Sequence, residues 1–309
     1  MTDTVTSLDT KTKPLPTHLH PEFAHFAFMP NDERIHFVQS PRWIGYPKAK
    51  NIHDMMLSLL KYPEQEKMPN LLIVGEANNG KTALLKHFYR KFGEPVTVDL
   101  EVRKPIIYIQ ANASSSEKEF YMAILDGFNA VYNYSSSTMQ LKHQVVHYVR
   151  NFHTKMVIID EIHSLLSGSP RQQRHMMNVI KWLCNALCIP FVLAGTKSAL
   201  QVLHTDPQHI SRFQVMELPL WKYDKEFAKL VGSLERVLPL KEPSQLTIPE
   251  KLSVIFEMSK GCVGYTKQFV AQSAINAINN NSEHIRLQDL QNTKWTFNRH
   301  NGVLEYNHQ

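Results

Sequence analysis

The sequence predicts an α/β fold: a parallel sheet covered by helices, followed by a small C-terminal helical lid. Three observations predict it. Apolar, β-branched runs too short for helices alternate with stretches of helical period, as in a buried parallel sheet. One of these runs opens into a glycine-bearing octapeptide and another ends in two carboxylates, so chemistry gathers at one strand edge. After Pro219 the strand signals cease and helical patterns alone remain.

In chain order, residues 1–50 read as an extended arm, because Pro14, Pro16, Pro21, Pro30, Pro41 and Pro47 interrupt any long helix. Its aromatic residues, Phe23, Phe26, Phe28, Phe37, Trp43 and Tyr46, point to packing on the core or on a partner rather than to disorder. An α/β core follows over 51–218. It opens with a helix at 52–60 and a strand at Asn70-Leu-Leu-Ile-Val74, then a second strand near 106–109 and helices at 117–130 and 139–151. A third strand, Lys155-Met-Val-Ile-Ile-Asp160, precedes a helix around 172–187 and a buried strand within Ile189-Pro-Phe-Val-Leu-Ala-Gly195-Thr196. The lid, 219–309, carries helical stretches near 224–237, 248–259, 264–279 and 287–297.

Composition fits this plan. The 309 residues, 43% hydrophobic and 20% charged, suffice for one large α/β core with an attached subdomain. No apolar run is long enough to span a bilayer, and the N-terminus lacks a basic segment followed by an apolar one, so a cytoplasmic protein with no membrane partner is expected. Cys184, Cys188 and Cys262 cannot form a disulfide framework, and the i, i+4 pair Cys184/Cys188 reads as core-facing. His143 and His147 make a helical pair without the carboxylate or cysteine spacing of a metal motif. A net charge of +6 permits nucleic-acid binding without requiring it.

The octapeptide Gly75-Glu76-Ala77-Asn78-Asn79-Gly80-Lys81-Thr82 reads as a phosphate-binding loop, since a strand that turns into a helix there aims backbone N–H groups and the helix dipole at one point. Lys81 would reach the β and γ phosphates of ATP, Thr82 would offer its hydroxyl to Mg²⁺, and the two glycines would let the backbone turn and approach. Asp160 would hold Mg²⁺ through water, with Glu161 orienting or deprotonating the attacking water. Alone, that acidic strand end could be an ordinary core strand and solvated turn. Placed about 80 residues after a phosphate loop, it completes the site.

Met68-Pro-Asn-Leu-Leu-Ile-Val-Gly-Glu-Ala-Asn-Asn-Gly-Lys-Thr82, Met156-Val-Ile-Ile-Asp-Glu-Ile-His163, Phe191-Val-Leu-Ala-Gly-Thr196 and Ser211-Arg-Phe213 together resemble the TniB/TnsC family of transposition AAA+ ATPases. Arg42-Trp-Ile-Gly-Tyr-Pro47 is similar to that family's approach to its core. The resemblance implies an AAA+ P-loop ATPase in which Thr196 occupies the sensor 1 position and Arg212 is the arginine finger inserted into a neighbour's site, a surface salt bridge being the competing reading. It also implies assembly as rings or helical filaments around double-stranded DNA, contacted from residues 111–142. Lys118 matches the backbone-contacting lysine, and Ser136 lies in the matching hydroxyl-bearing loop, Ser135-Ser-Ser-Thr138. A solvated charge between Glu117 and Glu119 remains the other reading of Lys118. One departure stands out: Lys260-Gly-Cys-Val-Gly-Tyr-Thr-Lys267 has no arginine where many AAA+ lids carry one, leaving Lys267 as the residue that could stand in.

The function so implied is an ATP-dependent regulator of transposition that oligomerises on duplex DNA, recruits a transposase and disassembles on hydrolysis. The implied partners are that transposase and a TniQ-type target-selection protein, with or without an RNA-guided effector complex. Two alternatives stay open: a nucleotide-switched DNA-binding scaffold with negligible hydrolysis, and a helicase-loader-type AAA+ protein.

Overall fold

The computed structural model describes residues 16–111, 116–166, 168–203 and 212–293, with the backbone of 298–299 and 302–303. Ser211 of the Ser-Arg-Phe motif, the first fifteen residues of the arm, residues 112–115 and residues 294–297 of the last expected helix lie outside the described residues. The elements are a 3-10 helix (Ala24–Phe28), α1 (Asn31–Gln39), α2 (Pro47–Leu60), β1 (Asn70–Gly75), α3 (Lys81–Phe92), β2 (Val96–Val98), β3 (Glu101–Arg103), β4 (Ile106–Gln110), α4 (Glu117–Gly127), α5 (Thr138–Asn151), β5 (Met156–Asp160), α6 (Ile162–Leu165), α7 (Pro170–Leu187), β6 (Phe191–Gly195), α8 (Lys197–Leu203), β7 (Phe213–Leu218), α9 (Lys225–Glu235), α10 (Pro249–Ser259), α11 (Val263–Asn279), α12 (Leu287–Asn292), β8 (Asn298–Arg299) and β9 (Gly302–Val303). The chain divides into two compact units, residues 43–220 with 262–264, and residues 1–42, 221–261 and 265–309.

The first unit is built on a five-stranded sheet in the order β4-β5-β6-β1-β7, with β1 pairing parallel to β6 and β7, and β5 parallel to β4 and β6. Every residue of β1, β5 and β6 is buried, which explains their uninterrupted apolar sequence. Alternation sorts the side chains: Leu72, Val157 and Leu193 join the cluster with α4, α5 and α7, whereas Leu71, Ile158 and Val192 join the one with α2 and α3. α7 starts at Pro170, with Ser169 and Gln172 forming a reciprocal capping box.

The second unit gathers most of the C-terminal helices and the beginning of the chain. The stretch expected to be extended is helical at Ala24–Phe28 and Asn31–Gln39. Pro30 immediately precedes α1, so the proline that interrupts one helix permits the next. The His20 N–H donates to Arg236 O at 2.8 Å, and His18 Nε2 meets Leu240 O at 3.2 Å. Arg34 is fully buried, donating to Pro239 O at 3.0 and 2.8 Å and forming an ion pair with Glu283, which also accepts from Lys241. Phe26 stacks on Phe37 with centroids 3.9 Å apart, and the Arg42 guanidinium covers the Phe37 ring. Much of the arm's aromatic content is thus spent within this unit.

Candidate functional site

The octapeptide leaves the end of β1 and closes onto the start of α3. Gly75 is in register with Leu218 of β7, and a Cβ at Gly75 would stand 2.8 Å from the Leu218 carbonyl oxygen. Gly80 turns the chain at φ +87°, which favours glycine. Lys81 opens α3 with its side chain drawn inward, 4% exposed, and its Nζ donates to Gly75 O at 3.0 Å and Glu76 O at 2.9 Å. Burial lowers the Lys81 ammonium below its ordinary range, and the nearby Glu161 and Asp160 charges oppose that shift.

Three segments brace the loop. Asn79 Nδ2 donates to Leu218 O at 2.7 Å and Pro219 O at 3.1 Å, and its Oδ1 accepts from the Val263 N–H at 3.3 Å. The Gly264 N–H donates to Asn78 O at 3.1 Å, and Cys262 Sγ donates to the same carbonyl. A Cβ at Gly264 would come 2.2 Å from Asn78 O. Tyr46 approaches from the start of α2, its hydroxyl pushed up to about 12 by burial. The side chain of Asn79 therefore acts as a strut between the loop, the end of β7 and the start of α11.

The carboxylates arrive from β5. Asp160 is fully buried, its Oδ2 accepting from the Tyr108 hydroxyl at 2.9 Å and its Oδ1 from the Glu161 N–H at 2.9 Å. Burial and then the Asp160 charge push the Tyr108 hydroxyl far above the ordinary tyrosine range, so it stays a donor. Glu161 sits in the left-handed region at φ 56°, a costly conformation for a residue with a Cβ, and its Oε2 lies 3.2 Å from His163 Nε2. Thr196 directly follows β6, between β5 and β1, with Oγ1 2.7 Å from Ser198 Oγ. The carboxyl-terminal edge of three adjacent strands thus carries the octapeptide, Asp160, Glu161 and Thr196.

The model of the family described as "Bacterial TniB protein" matches residues 34–223, more than half of the chain. The chain belongs to the TniB family. No curated protein sequence matches this TniB-family chain. Among solved structures it is similar to the ORC2 protein of Aeropyrum pernix in its ADPNP-ADP complexes, with TM-score 0.60 and 16% identity over 84% of this chain and 70% of that one. Cdc6p from Pyrobaculum aerophilum gives TM-score 0.60 and 16% identity over 82% of this chain and 68% of that one. Drosophila ORC bound to DNA gives TM-score 0.55 and 13% identity over 93% and 68%. At these identities the similarity concerns the fold alone, and the parallel-sheet α/β fold of this TniB-family chain is shared with those proteins.

Three residues singled out in the sequence lie elsewhere. Arg212 precedes β7, which runs parallel to β1, so it stands at the opposite end of the strands from the octapeptide. Six residues at about 3.3 Å each separate the two edges by roughly 20 Å, beyond the reach of an arginine side chain. Its Nη1 donates to Asn185 Oδ1, and it makes no salt bridge among the described residues. Lys118 Nζ donates to Tyr134 O at 2.7 Å, fastening the loop between α4 and α5. Ser136 lies in that loop, its N–H donating to Asn133 O at 2.9 Å. Tyr108 was not singled out from the sequence, and although Lys260–Lys267 and the motif ending at His163 were, the bracing by Cys262–Gly264 and the contact of His163 with Glu161 were not read there. A signal existed only for His163, in the Asp-Glu-Ile-His spacing.

Among the described residues no three His, Cys, Asp or Glu side chains lie close enough to hold a metal ion unaided. The Thr82 hydroxyl and the Asp160 carboxylate are hard oxygen donors of the type Mg²⁺ takes, with waters and phosphate completing its shell. Among the described residues no helix is long and apolar enough to cross a membrane.

Proposed function

We propose that this TniB-family chain is an ATP-dependent regulator of DNA transposition that oligomerises on duplex DNA, recruits and activates a transposase, and disassembles on hydrolysis. The observation that carries the nucleotide part is Lys81: a buried ammonium at a helix N-terminus whose hydrogen-bond partners are two carbonyls of its own loop. A polyphosphate is the counter-charge such a cradle fits. ATP with Mg²⁺ supplies an electrophilic γ-phosphoryl group on a good leaving group.

The chain's own groups divide the remaining work. The loop backbone and Lys81 bind the phosphates, and Thr82 with Asp160 holds the ion. Tyr108 and the Glu161 N–H fix the Asp160 carboxylate, and His163 steadies Glu161 as orienter of the attacking water. Thr196 lies between these groups as a polar contact for the γ-phosphate. Arg212, out of reach of its own loop, acts on the nucleotide of a neighbour, so turnover requires assembly. The ADPNP and ADP of the archaeal ORC2 protein, and the DNA bound by Drosophila ORC, support nucleotide and duplex DNA as ligands here. Lys118 and Ser136 are the proposed DNA-facing residues, and a transposase and a TniQ-type protein, with or without an RNA-guided effector complex, the proposed partners.

A second reading, a switched scaffold with negligible hydrolysis, is favoured by the arginine-free stretch Lys260–Lys267. Turnover measured with and without duplex DNA, for the wild type and Glu161→Gln, separates the two. The regulator requires DNA-stimulated turnover that Glu161→Gln loses while its nucleotide-dependent assemblies persist. Equal turnover by both proteins would remove the assignment.

A further inference from the structure

The β2–β3 hairpin closes through a two-residue loop, since Val98 pairs with Glu101 and leaves Asp99 and Leu100 between them. Both loop residues have positive φ, 51° and 68°, in a tight turn that asparagine and glycine adopt with least strain. Leucine is costly there, and its side chain recovers nothing within its own chain, being 98% exposed. Val96, Val98 and Val102 are exposed on the same hairpin, and Asp99 and Glu101 flank the leucine with acid. An apolar tip between two carboxylates suits a contact outside its own chain, and its charge sets it against the phosphates of DNA.

A cavity of about 510 Å³ opens beside the hairpin. Val149, Leu187 and Ile189 give it apolar walls, and Lys61, Arg150 and Lys155 line it too, against one carboxylate, Glu64. None of these three cations makes an ion pair or a side-chain hydrogen bond among the described residues. Hairpin and cavity are neighbours, because Glu101 Oε2 lies 3.4 Å from Nε2 of His153, which lines the cavity. The exposure of Leu100 shows that the tip does not fill the cavity of its own chain. Tip and cavity match in chemistry, apolar against apolar and acid against base, and they share one patch of surface. A two-fold axis through such a patch sends each tip into the other copy's cavity, so both contacts form together and growth stops at two. We propose that the β2–β3 hairpin docks into this cavity on a second copy of the chain, with Leu100 as the apolar anchor. This contact is separate from the assembly through Arg212 and needs neither nucleotide nor DNA.

Sedimentation velocity of the full chain, over a range of concentrations and without nucleotide or duplex DNA, tests it. The wild type should pass from one copy to two with no larger species, and added salt should weaken the association. Leu100→Gly should raise the dimer dissociation constant at least about tenfold. Its melting midpoint, measured on dilute protein, should equal or exceed that of the wild type, because glycine relieves the turn. Arg150→Glu/Lys155→Glu should weaken association likewise while leaving the tip untouched. Mixing the two variants should bring back part of it, since each mixed pair keeps one intact tip facing one intact cavity. A wild type that stays single at every concentration overturns the inference, as does a dimer that Leu100→Gly leaves unchanged. A dimer lost with Leu100→Gly but indifferent to the cavity variant sends the tip to a different surface and overturns it too. Leu100-dependent species that keep growing beyond two copies, or a mixture that associates no better than either variant alone, would rule out the two-fold exchange.

Discussion

Asp160 is a buried carboxylate whose two oxygens are held by donors from different places, the Tyr108 hydroxyl and the N–H of the next residue. Removing one donor leaves part of a buried charge unsatisfied. Tyr108→Phe is therefore expected to cost about 1–3 kcal/mol and to weaken Mg²⁺-dependent nucleotide binding; a melting midpoint and Mg²⁺ titration equal to wild type would refute the assignment. Lys81, Thr82 and the Asp160/Glu161 pair were legible in the sequence because short spacings along one chain segment carry them. Tyr108 was not, because its meeting with Asp160 depends on the register of β4 against β5, which pairs Gln110 with Asp160. The strut role of Asn79 escaped for a related reason, since its acceptors come from Leu218 and Pro219, far along the chain.

Among elements, the octapeptide is a loop held in shape by a neighbour. Gly264→Ala would drive a methyl group into the Asn78 carbonyl, so the loop must shift. A stability loss of about 1–3 kcal/mol is expected, with a larger fractional loss of nucleotide affinity than of helix content; calorimetric titration beside circular dichroism measures both. The loop between α4 and α5 is likewise secured by Lys118, which creates a clean alternative for DNA binding. If Lys118 contacts phosphate, Lys118→Ala should flatten the plot of log affinity against log salt by about 0.9. If it serves only to hold the loop at Tyr134, affinity falls with the slope unchanged. The main strands were legible from their apolar runs, whereas β7 and the β2–β3 hairpin were not. β7 is an edge strand with three exposed residues among its six, so its pattern lacks a buried run. The hairpin has strands of three residues and turns at Asp99 and Leu100, both with positive φ and neither glycine, so the usual turn signal is missing.

Across the whole molecule, the helical unit depends on a charge buried far from its partners in sequence. Arg34→Ala would strand Glu283 and is expected to cost about 3–5 kcal/mol, read from chemical denaturation of the full chain. Burial alone would raise the Glu283 carboxyl, yet hydrogen bonds from Arg34 and Lys241 outweigh it and hold the group below its ordinary 4.5. A depressed folded-state value means that this stabilisation is present above the ordinary glutamate range and is lost as pH falls through the folded value. The wild-type midpoint should therefore drop on acidification below about pH 4.5, and Glu283→Gln should show a flatter profile. The proline-rich opening of the chain predicted extension, and what the local pattern could not reveal was that its partners lie more than two hundred residues away.

That separation has a consequence for synthesis. The segment containing Arg34 leaves the ribosome first, but the carbonyl of Pro239 is 205 residues behind it and the carboxylate of Glu283 is 249 behind. At about 5–20 residues per second, the arginine and the Phe26–Phe37 stack wait roughly 10–50 seconds for their partners. Residues 43–220 are nearly the whole of the sheet unit and are complete during that wait. Each newborn chain thus carries a nearly complete sheet unit beside an earlier segment whose Arg34 still lacks its partners, and a nascent-chain chaperone is expected to bind that segment more strongly before residue 283 emerges than after.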